Sequence, residues 1–249
     1  MTYKIEWNVM KDKMRNSVFL AAAAMFGTLP MFQYHFRHFA GSLFTRQPTA
    51  EQIYYLALGQ SFMVFLLAFL CSLVGFLYSE RLQLPEFGKT SDIPGWLCMG
   101  LLVGLFFTPI SYYFCDREVF RVIPEIFPNS SLWALANMSG IALAQEVIVR
   151  FGLLTIGIYL ARRWGLKGYA WPVIVVISIF GALGTYVFLA KFDLVHKLFP
   201  SQLLISLIMA FFLQWIFCEI YLRKGFLAVL CIHFGLDIKF LVYSLVISA

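Results

Sequence analysis

Long apolar runs, separated by short polar segments, divide the chain from one end to the other. Each run is close to the ~20 residues that an α-helix needs to cross the hydrocarbon core of a bilayer. None of the polar segments is long enough to fold as a separate soluble domain. The pattern therefore predicts a bundle of membrane-spanning helices. The predicted spans are Ser17–His35, Tyr54–Tyr78, Ile93–Cys115, Leu132–Leu160, Tyr169–Ala190, Gln202–Leu222 and Gly225–Ile247.

Three features leave the number of spans open between seven and eight. Pro30 lies inside the first run, and proline kinks or breaks a helix, so this run fits either one span or a span followed by an interfacial piece. A further short segment fits within Phe32–Gln52. Another fits within Asp116–Ser131, where charged and apolar residues alternate as they do in an amphipathic helix on a membrane surface. We expect an all-α polytopic membrane protein of about seven transmembrane helices, with room for an eighth.

The composition agrees with this interpretation. Hydrophobic residues make up 61% of the chain and charged residues only 13%, about half of the charged fraction usual in soluble domains. The first apolar run is not closed by a small-residue cleavage site, which favours a retained span over a signal peptide. We expect residues 1–16 to form a cytoplasmic N-terminal segment and residues 17–249 to form a single membrane-embedded domain.

The distribution of basic residues predicts the orientation. With the N-terminus in the cytoplasm, eleven Lys and Arg residues fall in inner segments and six in outer ones, as the positive-inside rule requires. We therefore expect an integral protein of the plasma (inner) membrane with a cytoplasmic N-terminus. The inner residues are Lys4, Lys11, Lys13, Arg15, Arg81, Lys89, Arg162, Arg163, Lys167, Arg223 and Lys224, and the outer ones are Arg37, Arg46, Arg117, Arg121, Lys191 and Lys197.

Two pairs of ionisable residues lie inside apolar runs. Glu146 and Arg150 are four residues apart in the fourth run, so they share a helix face and can form an ion pair. His233 and Asp237 have the same spacing in the last run, where a carboxylate can orient an imidazole. Intramembrane charges are costly and usually mark functional sites. The alternative for each pair is structural: an ion pair that joins helices, or a core histidine whose neighbours Asp237 and Lys239 satisfy it.

Other ionisable residues have simpler interpretations. Glu219 lies close to Arg223 at the inner end of the sixth run, as in an interfacial ion pair. His35 and His196 are expected in outer loops. The sequence has no zinc-binding His-Glu-x-x-His helix, phosphate-binding glycine loop or Gly-x-Ser-x-Gly elbow, and no basic stripe for nucleic acid. We expect no cofactor and no metal.

The two ionisable segments, in this order, resemble the CPBP family of CAAX proteases and bacteriocin-processing enzymes, also called the ABI family. That family carries Glu-Glu-x-x-x-Arg on one helix, then Phe-x-x-x-His, then His-x-x-x-Asn or Asp. Here the first motif corresponds to Gln145-Glu146-x-x-x-Arg150, and the last to His233-x-x-x-Asp237, preceded by Leu222-Arg223-Lys224-Gly225. The similarity covers about residues 132–239, with the two motifs about 80 residues apart.

The resemblance implies a helical bundle with an internal cavity in which a glutamate activates water to cut a peptide bond. A histidine of the family assists that glutamate, and the last His and Asn/Asp stabilise the oxyanion. A carboxylate in a low-dielectric site holds a proton more readily than one in water, which suits a general base. Two positions depart from the pattern. The expected base is Gln145, whose amide cannot take up a proton, and the expected assisting histidine is Gly184.

The sequence therefore supports several functional hypotheses. The first is a catalytically degenerate CPBP-like protein that binds a partner membrane protein, a lipid, or a hydrophobic or lipidated peptide. The second is an active endopeptidase in which Glu146 serves as base and His233 as its partner. Helical rise argues against that pair, because it puts Glu146 ~24 Å below Arg162 but His233 only ~14 Å below Arg223. The third is a transporter or a subunit of a membrane complex, although no inverted repeat is visible.

Overall fold

The computed structural model describes residues 7–43, 47–128, 130–166 and 170–248, and all of the regular secondary structure in them is helical. Within these described residues, seven helices are long and apolar enough to cross a membrane, which agrees with the seven spans that the apolar runs predict. Lys4, Arg46, Lys167 and Tyr169, used above, lie outside the described residues. The spans are Val9–Phe39, Ala50–Leu82, Thr90–Val122, Ser131–Arg163, Trp171–Lys191, Pro200–Lys224 and Phe226–Leu245.

Two of the spans contain π-helical segments, in which backbone hydrogen bonds skip one more residue than in an α-helix. Tyr112–Asp116 joins α3 to α4, and Glu146–Leu154 joins α5 to α6. Segments of this kind are rare and often occur at functional sites. The α-helices are α1 Trp7–Leu43, α2 Ala50–Leu82, α3 Ile93–Ser111, α4 Arg117–Val122, α5 Ser131–Gln145, α6 Thr155–Arg163, α7 Trp171–Lys191, α8 Pro200–Lys224, α9 Phe226–Leu236 and α10 Lys239–Ser248.

Two expectations about the ends of the spans are wrong. His35, expected in an outer loop, lies in α1, which runs through Pro30 and on to Leu43, so that of the two alternatives for the first run the unsplit one holds. An α-helix satisfies its backbone hydrogen bonds internally, so it can continue beyond the apolar run into polar sequence at the membrane surface. The segment predicted as a surface helix within Asp116–Ser131 is the short α4, and its Val119 is buried in the bundle.

The crossing of α3 and α9 depends on glycine. Gly100 and Gly104 have the spacing that lets two helix backbones approach closely in a membrane. A Cβ on Gly104 would overlap the backbone oxygen of Gly235 on α9. A Cβ on Gly235 would in turn overlap the backbone of Gly100. α9, which carries His233 and Asp237, is therefore seated directly on α3.

The turn between α8 and α9 is also fixed by glycine. Gly225 has φ +91°, a left-handed conformation that suits glycine, and a Cβ there would overlap the oxygen of Pro85. The backbone N–H groups of Phe226 and Leu227 donate to the oxygens of Glu86 and Phe87 at 2.9 and 3.0 Å. The connection between α2 and α3 therefore sets the point at which α9 begins.

Two apolar clusters lie within the bundle. One gathers aromatic residues of α2, the Glu146–Leu154 segment, α8 and α9, including Phe76, Phe151 and Tyr221. The other joins α4, α7 and α10 through Val119, Leu189 and Tyr243. A half-open cavity is lined by members of both clusters, and ionisable residues from distant parts of the chain lie along it.

A polar cluster beside an internal cavity

Glu146 and Arg150 lie in the π-helical segment, and both side chains are fully buried. Nη1 of Arg150 donates to Oε1 of Glu146 at 3.1 Å, so the two residues share a face and pair as predicted. Nη2 of Arg150 donates to Oε1 of Gln214 on α8. The guanidinium also lies 5.2 Å from the ring centre of Phe217, within the range of a cation–π contact. These contacts tie the π segment to α8.

His233 lies between two carboxylates. Its Nδ1 is 2.6 Å from Oε1 of Glu146, a hydrogen-bond distance, whereas Nε2 is 3.6 Å from Oδ2 of Asp237, too long for a hydrogen bond. The ring also packs on Phe217, with 4.8 Å between centroids. The same oxygen of Glu146, Oε1, contacts both Arg150 and His233, and it thereby orients the imidazole. Asp237, predicted as a neighbour that satisfies the ring, makes only the longer contact.

The expectation that Glu146 and His233 lie at different depths is wrong, because their side chains touch. That expectation treated each residue as part of a straight α-helix measured from its basic end. Glu146 instead begins a π-helical segment, whose wider turns advance less per residue than α-helical turns. The start of α9 is set by the Gly225 turn and its bonds to Glu86 and Phe87. Neither feature can be read from the spacing of apolar residues.

The cavity has a volume of about 410 Å³. His233, Asp237 and Gln214 are part of its wall, whereas Glu146 and Arg150 are not and have no exposed surface. Much of the remaining wall is apolar, with Phe107, Met209 and Leu213 among its residues. A small number of polar groups in an apolar concavity of this size is typical of a ligand site.

A second ionic cluster shares the cavity, and the sequence analysis missed it. Lys239 donates to both oxygens of Asp116, at 3.3 and 3.1 Å, and to the hydroxyl of Ser111 at 3.4 Å. Ser111 and Tyr243 also donate to Asp116 Oδ2, at 2.5 and 3.0 Å. Lys239 was expected to satisfy the surroundings of His233, but it pairs with Asp116 instead. The sequence feature that could have indicated this pair is that Asp116 and Lys239 both lie at the ends of apolar runs.

The two departures from the CPBP pattern lie together, but not with Glu146. Gln145 is exposed and lines a second cleft, and Gly184 of α7 lines the same cleft. A Cβ on Gly184 would meet no other atom within 4 Å. Gln214 borders both this cleft and the cavity that His233 lines. The structure thus separates Gln145 and Gly184 from the buried cluster of Glu146, Arg150 and His233.

The cluster is not arranged to hold a metal ion. In the described part of the chain, no three metal-ligating side chains converge, and the two carboxylates near His233 face its opposite ring nitrogens. Comparisons with protein-family models, with curated proteins and with solved structures give no match.

Proposed function

We propose that this chain is a membrane-embedded binding protein, related to the CPBP proteases, whose peptidase centre is incomplete. The burial of Glu146 carries the proposal. Its carboxylate has no exposed surface, it is not part of the cavity wall, and its Oε1 is already shared by Arg150 and His233. A general base must reach the water or substrate whose proton it takes. Glu146 instead orients His233, which does face the cavity.

The ligand is a small amphipathic molecule in this proposal. A volume of about 410 Å³ lies within the range of small-molecule sites, so a lipid or a short hydrophobic molecule fits the cavity. Its apolar part lies against Met209 and Leu213, and its polar part reaches His233 and Asp237. From the charge asymmetry we also propose the plasma (inner) membrane, with the N-terminus in the cytoplasm.

The test is to identify what remains bound to the detergent-solubilised protein, by mass spectrometry of the intact complex. Ala210 lines the cavity, so Ala210→Phe fills it. Ala190 is exposed near the end of α7, so Ala190→Phe is the matched control. We expect a stoichiometric small ligand in the wild type and in the control, and its loss from Ala210→Phe. Equal occupancy of all three proteins by the same molecules would contradict a ligand site in this cavity.

The contact between His233 and Glu146 also favours a second candidate function, a membrane endopeptidase that uses these two residues. This function requires Glu146 to leave its pair with Arg150 and reach a substrate. Its test is cleavage of hydrophobic and lipidated peptides by the purified protein. Loss of a measured cleavage in Glu146→Gln, with the folded fraction unchanged, would favour the enzyme over the binding protein.

A further inference from the structure

Two polar side chains on the cavity wall have atoms without hydrogen-bond partners among the described residues. Asn137 of α5 is 1% exposed, and neither its Oδ1 nor its Nδ2 has a partner. Asp237 is 9% exposed, and its Oδ2 has no hydrogen bond. Both residues line the cavity. The unpaired atoms have almost no accessible surface in this structure. Because leaving buried polar atoms unpaired is costly, a ligand in the cavity that turns these side chains toward it and pairs with them is favoured.

The charges around the cavity show which kind of ligand suits this place. Among the side chains that the structure describes, the cavity wall and the cluster directly behind it contain three carboxylates and two permanent cations, with histidines counted as neutral. One negative charge therefore has no counterpart. An unbalanced charge at membrane depth is strongly unfavourable. The carboxylates are Glu146, Asp116 and Asp237, and the cations are Arg150 and Lys239.

The pairing of these charges locates the imbalance at Asp237. Arg150 pairs with Glu146 at 3.1 Å, and Lys239 pairs with Asp116 at 3.1 Å. Asp237 has only the 3.6 Å contact with Nε2 of His233. The missing positive charge is therefore needed next to Asp237, which lines the same cavity as Asn137.

We propose that the cavity binds a primary amine carried on an apolar chain, with the ammonium group against Asp237 and Asn137. This inference rests on the proposed function as a binding protein. An ammonium group has three donors, which suit Oδ2 of Asp237 and Oδ1 of Asn137, while the alkyl chain lies against Phe107 and Leu213. A neutral alcohol would leave the charge of Asp237 unbalanced, and a quaternary ammonium group would leave both oxygens without a donor.

Binding of the amine is linked to release of a proton. Without amine, a proton on the Asp237 carboxyl removes the unbalanced negative charge, and the ammonium group then displaces that proton. Protons therefore compete with the amine, so affinity rises with pH, by up to about tenfold per unit where the site is protonated. The titratable and charged groups that line this cavity beside His233 are His35 from α1, Cys115 and Asp116 from the π segment after α3, and Lys239 from α10. Glu146 and Arg150, from the π segment after α5, lie behind the wall.

The experiment is isothermal titration calorimetry on the full chain, with hexylamine, 1-hexanol and hexyltrimethylammonium as probes at pH 6, 7 and 8. We expect hexylamine to bind at least about tenfold more tightly than either other probe, since hydrogen bonds to charged groups contribute about 1.5–3 kcal/mol. Its affinity should rise with pH, and titrations in buffers of different ionisation enthalpy should show proton release. Asp237→Asn and Asn137→Leu should each weaken hexylamine binding, whereas the exposed Asp92→Asn should not.

The outcomes separate this inference from the proposed function. Equal binding of hexylamine and 1-hexanol, or affinity that does not change with pH, would overturn the amine site. If the amine site fails but Ala210→Phe removes some other copurified ligand, the proposed binding function stands and only the amine inference is overturned. If Asp237→Asn does not fold, the comparison of probes and the proton release in the wild type still decide the question.

Discussion

Gly235 of α9 lies directly against Gly100 of α3, with no side chain between the two backbones. His233 and Asp237 flank Gly235 in sequence and both face the cavity. Their position therefore depends on how closely the two helices approach. Because polar contacts at Nε2 and Oδ2 change over a few tenths of an ångström, a small separation of α3 and α9 is enough to disturb them.

Gly235→Ala should destabilise the protein. The added methyl group overlaps the backbone of Gly100, and overpacking of this kind costs about 1–3 kcal/mol. Gly59→Ala on α2 is the matched control, since a Cβ there meets nothing within 4 Å and alanine favours a helix over glycine by about 1 kcal/mol. Chemical unfolding in detergent measures both. Equal stability of the two variants would contradict the close crossing.

Glu146→Gln should be far more damaging than Glu219→Gln. Each glutamate pairs with an arginine four residues later at 3.1 Å, but the first pair is fully buried, whereas in the second the side chains of Arg223 and Glu219 are 75% and 34% exposed. Removing one member of a buried pair costs about 3–5 kcal/mol, and an exposed pair contributes about 1 kcal/mol or less. Thermal unfolding of the two variants provides the comparison. Similar losses would mean that Arg150 has another counter-charge.

Asp116→Asn should destabilise the contact of α10 with the end of α3, because it leaves the ammonium of Lys239 without its carboxylate. We expect a loss of about 1–3 kcal/mol. Replacing both residues, as Asp116→Leu with Lys239→Met, should recover much of the stability, because no charge is then unpaired. Glu118→Gln, which breaks the pair with Arg121, is the control. If the double variant is less stable than Asp116→Asn, the cluster contributes more than charge balance.

Gln145→Glu combined with Gly184→His restores both groups that the CPBP pattern expects. The two positions line one cleft, and a side chain at residue 184 has open space, so we expect both variants to fold. A carboxylate base needs a partner to work efficiently, so peptide cleavage should appear only when the changes are combined. The assay is cleavage of hydrophobic peptides in detergent. Cleavage by the wild type would instead support Glu146 as a working base.

The cytoplasmic N-terminus can be tested with single cysteines in a cysteine-free background. Gln47 lies between the first two spans and Ser91 in the first turn of the third span, and both are exposed. With a membrane-impermeant maleimide applied to intact cells, Gln47→Cys should be labelled at once, and Ser91→Cys only after permeabilisation. The opposite order would reverse the orientation, whatever the charge asymmetry suggests.

The number and approximate place of the spans could be predicted from the sequence, because bilayer thickness imposes a length on each apolar run. The pair of Glu146 and Arg150 could also be predicted, because helix geometry brings residues four apart to one face. The ends of the helices could not be predicted in this way. α1 runs from Trp7 to Leu43, well beyond the predicted span Ser17–His35. The pairing of Asp116 with Lys239 depends on tertiary structure and spans 123 residues. No local pattern indicates it.

The π-helical segment also explains the rhythm of burial along the fourth span. From the start of α5 into α6, one stripe of buried residues recurs at intervals of four, beside other buried residues such as Asn137 and Phe151, although an α-helix turns about 40° too far over four residues. The slower winding of the π segment offsets that drift from Glu146 to Leu154. Deleting one residue here would rotate all that follows by about 100°. The stripe is Ala134, Met138, Ala142, Glu146, Arg150, Leu154 and Ile158.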